Sequence, residues 1–370
     1  MQRELLFSDN LKYFRQKNGL TQKELAEKIG YSEKAVNKWE KTNTIPSINT
    51  LMDLCDVLNI SLYDLIYKRS SKGYCLGIDG GGSKTVFLLT DENLEVIKRV
   101  EKFASVNPND AGLDECMKIL KEGINETCMG YPQNRINCFA GISGASVGDN
   151  PEILSEFFSE FGFASAKCDS DLENIIELGL KGNSGIVVIM GTGISAYAVK
   201  GNERKRIGGW GHYFDKGGSG YNIGRDGIYA AYCAIDGSGE DTVIRDIIEK
   251  EIGMPLEMHL KTFYSRGKRY IASFCKNVFE AYRKGDRIAA RIIKDNVYAV
   301  ANLLIAGSNF LGEKALVSFA GGVMHESKII FPMLYDILET KKFELKVIEK
   351  EPVYGAVQIA RKEFLKNAEN

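Results

Sequence analysis

Long hydrophobic runs are missing from this chain of 370 residues. No stretch approaches the roughly 18 consecutive apolar residues that a membrane helix needs, and the first residues lead into no apolar core of a signal peptide. The formal net charge is only −1, so the charge total favours neither a nucleic acid nor a membrane surface. We therefore expect a cytoplasmic protein with no membrane partner.

Residues that hold structural metals or disulfides are scarce or scattered. The eight cysteines include no C-x-x-C pair, and His212, His259 and His325 are too dispersed to suggest a metal site. We expect reduced, mostly buried thiols. The chain is nevertheless long enough for two or three domains.

The first of these domains is helical. The apolar pattern of residues 11–67 is broken at glycine, asparagine and proline, which predicts five short helices. Thr21 and Glu24 form a capping box, Gly30 ends that helix, and Ser32 caps the next one. Two short helices joined by a glycine turn are typical of a helix-turn-helix, whose second helix enters the major groove.

The stretch LTQKELAEKIGYSEKAVNKWEKTNTIPSINTLMDLCDVLNIS resembles the Cro/C1-type (XRE) DNA-binding domain. The resemblance implies operator DNA as a partner and a domain over 1–67, with Val36, Trp39 and Leu51 in its core. One copy should bind weakly, so we expect a homodimer that places two recognition helices about 34 Å apart. The alternative is an oligomerisation or docking module. The polar residues expected to face phosphates or bases are Gln22, Ser32, Glu33, Lys34, Asn37 and Lys38.

A polar linker, KRSSKG at 68–73, precedes the glycine-rich run LGIDGGGSKTVFLL. The run is not a P-loop, because Ser83 separates Gly82 from Lys84 and the sequence continues as a β-branched strand instead of a helix. The glycines are therefore predicted at the tip of a hairpin. The stretch GIVVIMGTGISAYAV, about a hundred residues later, has the same construction. Both turns can offer backbone N–H groups to phosphate oxygens.

Seven motifs occur in the order of the N-acetylglucosamine kinase-like, BadF/BadG-type ATPase family, which the chain resembles over 74–366. The resemblance implies an α/β fold of two ribonuclease-H-like domains, of the actin-like ATPase type, around an ATP cleft. The first lobe would span 74–180 and the second 181–370. The motifs are YCLGIDGGGSKTVFLL, FAGISGA, CDSDLENIIELG, IMGTGISAYAV, RIGGWGHYFDKGGSGYNIGRDG, SFAGGVM and EPVYGAVQIA.

The same resemblance implies roles for individual residues. Asp79 would hold Mg²⁺, and Asp171 would be the catalytic base, with Asp169 as a rival; alternatively, Asp171 only caps the helix that follows it. Phosphate and adenosine contacts would come from Gly80, Gly81, Gly82, Ser83, Thr85, Gly191, Thr192, Gly193, Gly321 and Gly322. The sugar side would comprise Asn107, Ser143, Trp210, Gly211, Asp215 and Lys216.

One loop departs from the family pattern G-D-E-G-S. Lys216 stands in the aspartate position, Gly217 in the glutamate position, and Asp215 comes one residue early. A lysine there suits an anionic ligand, so we expect an amino sugar bearing a phosphate or a lactyl carboxylate. Aromatic residues around this loop are expected in the core, namely Tyr197, Tyr213, Phe214 and Tyr221.

Three functions are compatible with this sequence. The first is a DNA-binding regulator fused to an ATP-dependent amino-sugar kinase. The second is a sugar sensor that binds its ligand without turnover, favoured by the altered loop. The third, an ATP-driven activator of an acyl-CoA dehydratase or reductase, ranks low because the scattered cysteines supply no clear cluster ligands.

Overall fold

The computed structural model describes residues 6–42, 44–60, 62–66, 73–312, 314–338 and 342–369. The predicted linker lies outside these ranges except for Gly73. The chain forms two compact units, Met1–Asn174 with Pro352–Asn370, and Ile175–Glu351. None of the helices in the described ranges has the length and hydrophobicity to cross a membrane.

Five short helices form the amino-terminal domain, as predicted. The Thr21 hydroxyl accepts the Glu24 N–H at 3.1 Å while the Glu24 carboxylate accepts the Thr21 N–H at 2.7 Å, which completes the capping box. Val36, Trp39 and Leu51 are buried in the common core, as expected. The helices are α1 (Phe7–Lys17), α2 (Gln22–Lys28), α3 (Glu33–Lys41), α4 (Ile48–Leu58) and α5 (Leu62–Ile66).

The first sheet has the strand order β3-β2-β1-β4-β5. Its first three strands form an antiparallel meander, and the last two join it in parallel. Gly80 pairs with Thr85, which confirms the predicted glycine hairpin. The strands are β1 (Tyr74–Gly80), β2 (Thr85–Asp91), β3 (Val96–Lys102), β4 (Ile136–Ile142) and β5 (Ser165–Asp169).

The second sheet repeats this topology with the order β8-β7-β6-β9-β10. Met190 pairs with Ile194, so the second glycine turn also joins two antiparallel strands. Two mixed sheets of equal construction confirm the predicted pair of α/β domains. The strands are β6 (Gly185–Met190), β7 (Ile194–Lys200), β8 (Glu203–Ile207), β9 (Ala315–Ala320) and β10 (Phe343–Val347).

Helices connect and cover the strands. Between β3 and β6 along the chain lie α6 (Pro108–Ala111), α7 (Leu113–Cys128), α8 (Asn150–Ser159) and α9 (Leu172–Leu180). The later helices are α10 (Gly220–Asp236), α11 (Ile244–Ile252), α12 (Leu256–Ser273), α13 (Cys275–Arg283), α14 (Arg287–Leu311), α15 (Ser327–Ile337) and α16 (Val353–Glu369). Short 3₁₀ turns occupy Gln133–Arg135 and Gly322–Glu326.

The carboxy-terminal helix α16 packs on the first sheet. Val353, Val357 and Ala360 share a buried cluster with Cys75 and Phe139. The predicted second lobe, 181–370, included this helix, and the structure assigns it to the first unit instead. The spacing of its apolar residues predicts that one face of the helix is buried. It does not predict which of the two sheets buries that face.

The helical domain contacts the first sheet domain through an ion pair. Arg135, directly before β4, donates to the carboxylate of Asp64 in α5 at 2.8 Å. The Asp64 residue is 4% exposed. The cysteines also agree with expectation, because all eight are free and six are buried.

Candidate functional site

The candidate DNA-binding face lies on α2 and α3. Most of its predicted residues are exposed, whereas Gln22 and Asn37 are half-buried. The side-chain amide of Asn37 donates to the side-chain Oε1 of Gln22 at 3.0 Å. This bond fixes the orientation of both side chains on the face. The exposed residues are Ser32, Glu33, Lys34 and Lys38.

A buried ion pair supports that face. Arg15 donates to both carboxylate oxygens of Glu40, at 2.5 and 3.0 Å, and the two side chains are 10% and 3% exposed. Hydrogen bonding to Glu40 raises the pKa of Arg15, so the guanidinium stays charged. Gln22 donates to Glu40 at 2.8 Å. A chain of hydrogen bonds therefore links the domain interior to two predicted DNA contacts.

The first glycine hairpin carries Asp79 at the end of β1. The Gly81 N–H donates to the Lys84 carbonyl at 3.0 Å and closes the turn. Asp79 is half-buried and accepts the amide of Asn174 at 2.9 Å. Thr85, predicted to face phosphate, is fully buried and donates to the Ala104 carbonyl at 3.3 Å, so its hydroxyl is engaged within the sheet domain.

Asp171 lies directly before α9 and is half-buried. Burial raises the pKa of its carboxyl, and the Ser170 hydroxyl, which donates to it at 3.2 Å, acts in the opposite direction together with polar groups of Leu172 and Ser143. A carboxylate with a raised pKa accepts a proton more readily. The rival Asp169 is exposed and accepts the Ser170 N–H at 2.6 Å. These surroundings favour Asp171 as the base.

Two loops bring the predicted sugar-side residues of the first unit close together. The Ser143 N–H donates to the Gly80 carbonyl at 2.8 Å, which ties it to the first glycine hairpin. A Cβ at Gly144 would lie 2.3 Å from the side-chain Oδ1 of Asn107. The Asn107 side chain therefore packs directly on the turn at Gly144. The Asn107 amide donates to Asp110 at 2.8 Å. Asn107, Ser143 and Asp171 thus occupy one neighbourhood.

The second unit holds a cavity of about 560 Å³ beside the second glycine turn. Gly191 and Thr192 line it, and so does Gly322 of the predicted adenosine motif. Gly321 has a φ of +101°, and a side chain there would lie 2.4 Å from the Met190 carbonyl, so only glycine lets the two loops approach this closely. The volume is typical of a small-molecule site.

Asp215 organises the loop that departs from the family pattern. Its carboxylate accepts the backbone N–H groups of Gly209, Trp210 and Gly211 at 3.1, 3.0 and 2.9 Å. These bonds hold the carboxylate within its own loop. Lys216, the next residue, is exposed. Contact of either residue with a sugar stays a prediction.

The expectation that the aromatic residues of this region are buried is wrong for two of them. Tyr213 is 84% and Phe214 76% exposed, and Trp210 beside them is 64% exposed. They lie in an irregular loop with no sheet face to cover them, whereas Tyr197 on β7 and Tyr221 on α10 are half-buried.

Sequence reasoning missed three polar residues of these sites. Asn174 is fully buried on α9, and an amide directly before the apolar pair Ile175 and Ile176 was the available signal. Arg269 and Lys276 line the cavity of the second unit. No motif marks them, because they lie on helices of ordinary composition.

Comparison with known proteins supports this architecture. Residues 76–360 match the BadF/BadG/BcrA/BcrD ATPase family, and residues 11–65 match a helix-turn-helix family. An N-acetylmuramic acid/N-acetylglucosamine kinase of Clostridium acetobutylicum is 31% identical over 306 aligned residues, covering 78% of this chain and 99% of that protein.

Two solved structures share the fold. A ROK family glucokinase from Streptomyces griseus, in complex with glucose and AMPPNP, has a TM-score of 0.53 and 14% identity, covering 79% of this chain and all of that one. A ROK family transcriptional regulator, a homologue of the E. coli MLC protein, has a TM-score of 0.57 and 12% identity, covering 96% of this chain and 95% of that one. The chain therefore belongs to the BadF/BadG/BcrA/BcrD ATPase family and carries a helix-turn-helix domain in front of the ATPase domain.

Proposed function

We propose that this protein is an ATP-dependent amino-sugar kinase that carries its own operator-binding domain. The observation that supports this most strongly is the half-buried Asp171 carboxylate, whose pKa is raised by burial and which follows β5 as Ser143 follows the neighbouring strand β4. A surface aspartate that only capped a helix would need neither feature. The similarity to a sugar kinase over 99% of that relative's length agrees with this proposal.

Asp171 would accept the proton of the sugar hydroxyl. As the hydroxyl oxygen bonds to the γ-phosphorus of ATP, the bond from that phosphorus to the bridging oxygen breaks and its electron pair leaves with ADP. Phosphoryl transfer needs positioning and charge neutralisation more than covalent chemistry by the protein. Asn107, beside the turn at Gly144, and Ser143, directly before that turn, would orient the acceptor sugar.

Asp79 in the first unit would hold Mg²⁺ together with the phosphates of the nucleotide. Within the described ranges, no three acidic, histidine or cysteine side chains converge as a metal site. A single carboxylate suits Mg²⁺, which keeps several waters and takes its remaining ligands from substrate phosphates. When bound, the ion neutralises charge on the transferring phosphoryl group.

Asn174 would position Asp79 for this ion. We expect Asn174→Ala to raise the Mg²⁺ concentration needed for half-maximal phosphate transfer about tenfold, because it removes the amide that orients the carboxylate. Titration of transfer rate against Mg²⁺ measures this. Asn137→Ala, at another buried asparagine of the first unit, is the control for general destabilisation. An unchanged Mg²⁺ requirement would contradict the positioning role.

We further propose an anionic amino sugar such as N-acetylmuramic acid as substrate, with Lys216 as its counter-ion. The Clostridium relative is named for this sugar and for the neutral N-acetylglucosamine. Lys216→Gln should weaken binding of N-acetylmuramic acid about tenfold and leave N-acetylglucosamine unaffected, as for loss of one charge-assisted hydrogen bond. Calorimetric titration with both sugars measures this, and Lys200→Gln is the matched exposed control. Equal losses of affinity for the two sugars would exclude Lys216 as the counter-ion of the sugar carboxylate.

A second candidate is a sensor that binds the sugar without turnover. It is favoured by the loop in which the Asp215 carboxylate accepts three backbone N–H groups, because this leaves fewer acceptor sites for sugar hydroxyls. In that function, a homodimer would pass ligand binding to the spacing of its recognition helices. The required coupling is the usual 1–3 kcal/mol.

The deciding experiment is a phosphate-transfer assay on the full chain with ATP, Mg²⁺ and a panel of neutral and anionic amino sugars. Transfer establishes the kinase. If the folded protein binds ATP and sugar but transfers no phosphate, the sensor is supported instead. Whether or not phosphate is transferred, selection of bound fragments from random DNA, with and without each sugar, tests operator binding and its dependence on the sugar.

A further inference from the structure

The cavity of the second unit is lined by two cationic side chains, Arg269 and Lys276. Lys276 is paired with Glu251 at 3.0 Å. Arg269 is exposed and has no ion-pair partner among the residues described in 175–312, 314–338 and 342–351. An unpaired guanidinium at the wall of a cavity is available to a ligand.

A kink in α12 places Arg269 there. Gly267 has non-helical dihedrals, φ 67° and ψ −165°, inside the helix Leu256–Ser273. Arg266, just before the kink, stacks on Tyr270 with its guanidinium carbon 4.0 Å from the ring centre and does not line the cavity. After the kink, Arg269 and Ser273 both line it.

The kink depends on the backbone of Gly267 and not on packing. No atom lies within 4 Å of the position that a Cβ would take there. A φ of 67° with this ψ is strained for any residue with a side chain. The glycine is therefore required by the change of helix direction that brings Arg269 to the cavity.

We propose that Arg269 binds phosphate oxygens of the nucleotide, an inference that rests on the proposed function. The cavity wall beside Arg269 includes Gly191 and Thr192 of the second glycine turn. A nucleotide polyphosphate is strongly anionic, and the planar guanidinium matches two phosphate oxygens at once. The adenosine portion carries no charge, so the contact would distinguish nucleotides from the nucleoside.

Calorimetric titration of the full chain with ATP, ADP and adenosine tests this inference. Arg269→Ala should weaken ATP and ADP binding about 10- to 100-fold and leave adenosine binding unchanged. Arg269→Lys should recover part of the loss, because it restores the charge without the fork. Arg266→Ala, on the same helix and outside the cavity, should bind all three like the wild type. Gly267→Ala should reproduce the loss of Arg269→Ala by displacing the guanidinium.

The titrations also distinguish failure of the proposed function from failure of the Arg269 contact. A wild-type protein that binds neither ATP nor ADP contradicts the proposed function itself. A wild type that binds ATP, together with an Arg269→Ala variant of equal ATP affinity, overturns the phosphate contact alone. Equal losses for ATP and adenosine in that variant would show that Arg269 shapes the cavity instead of binding phosphate. Thermal unfolding of the exposed-site variants Arg269→Ala and Arg269→Lys confirms that the proteins compared are folded.

Discussion

Replacement of Asp171 by asparagine is expected to lower the rate of phosphate transfer about 10²- to 10⁴-fold, the usual contribution of a general base. Asparagine keeps the size and the hydrogen-bonding oxygen of the side chain but cannot accept the proton. Sugar and ATP affinities should change little. Steady-state kinetics with ATP and the best sugar of the panel, beside binding measurements, test this expectation.

The dependence of the rate on pH provides a second test of the same residue. Because burial raises the pKa of Asp171 above 3.8, activity should fall as the pH drops through this raised value, when the base becomes protonated. That acidic limb should disappear in the asparagine variant. The matched control is Asp169→Asn, at an exposed carboxylate two residues away, which should keep both rate and limb. Equal losses in the two variants would argue against Asp171 as the base.

Replacement of Arg15 by methionine is expected to unfold much of the helical domain. It leaves the Glu40 carboxylate, 3% exposed, without its counter-ion. Removing one partner of a buried pair costs about 3–5 kcal/mol, a large part of the total stability of a small domain. Trp39 is buried and Trp210 is 64% exposed, so fluorescence of Trp39 in a Trp210→Phe background reports thermal unfolding of this domain.

The double variant Arg15→Met, Glu40→Leu separates stability from DNA recognition. Replacing both members by apolar side chains should restore most of the lost stability, because no charge stays buried. Gln22 loses its Glu40 partner in this variant, so operator binding should stay impaired. A single Arg15→Met variant that melts like the wild type would show that the ion pair contributes little.

Local sequence signals predicted the local structure well. The capping box at Thr21 and the glycines of both hairpins act between neighbours in the chain, and the structure confirms them. The roles that the family motifs imply for Asp171 and its surroundings stay predictions. The aromatic loop was predicted wrongly, because aromatic residues indicate burial on average and not the exposure of a particular loop.

The sequence alone determined the order of the domains, the starts of α2 and α3 and the two glycine turns. Each of these starts and turns depends on residues a few positions apart. Tertiary structure alone decided which groups meet across long separations. It joined Asn174 to Asp79, 95 positions earlier, and folded α16 back onto the first sheet. Such contacts follow from packing of distant elements, whose partners no spacing along the chain encodes.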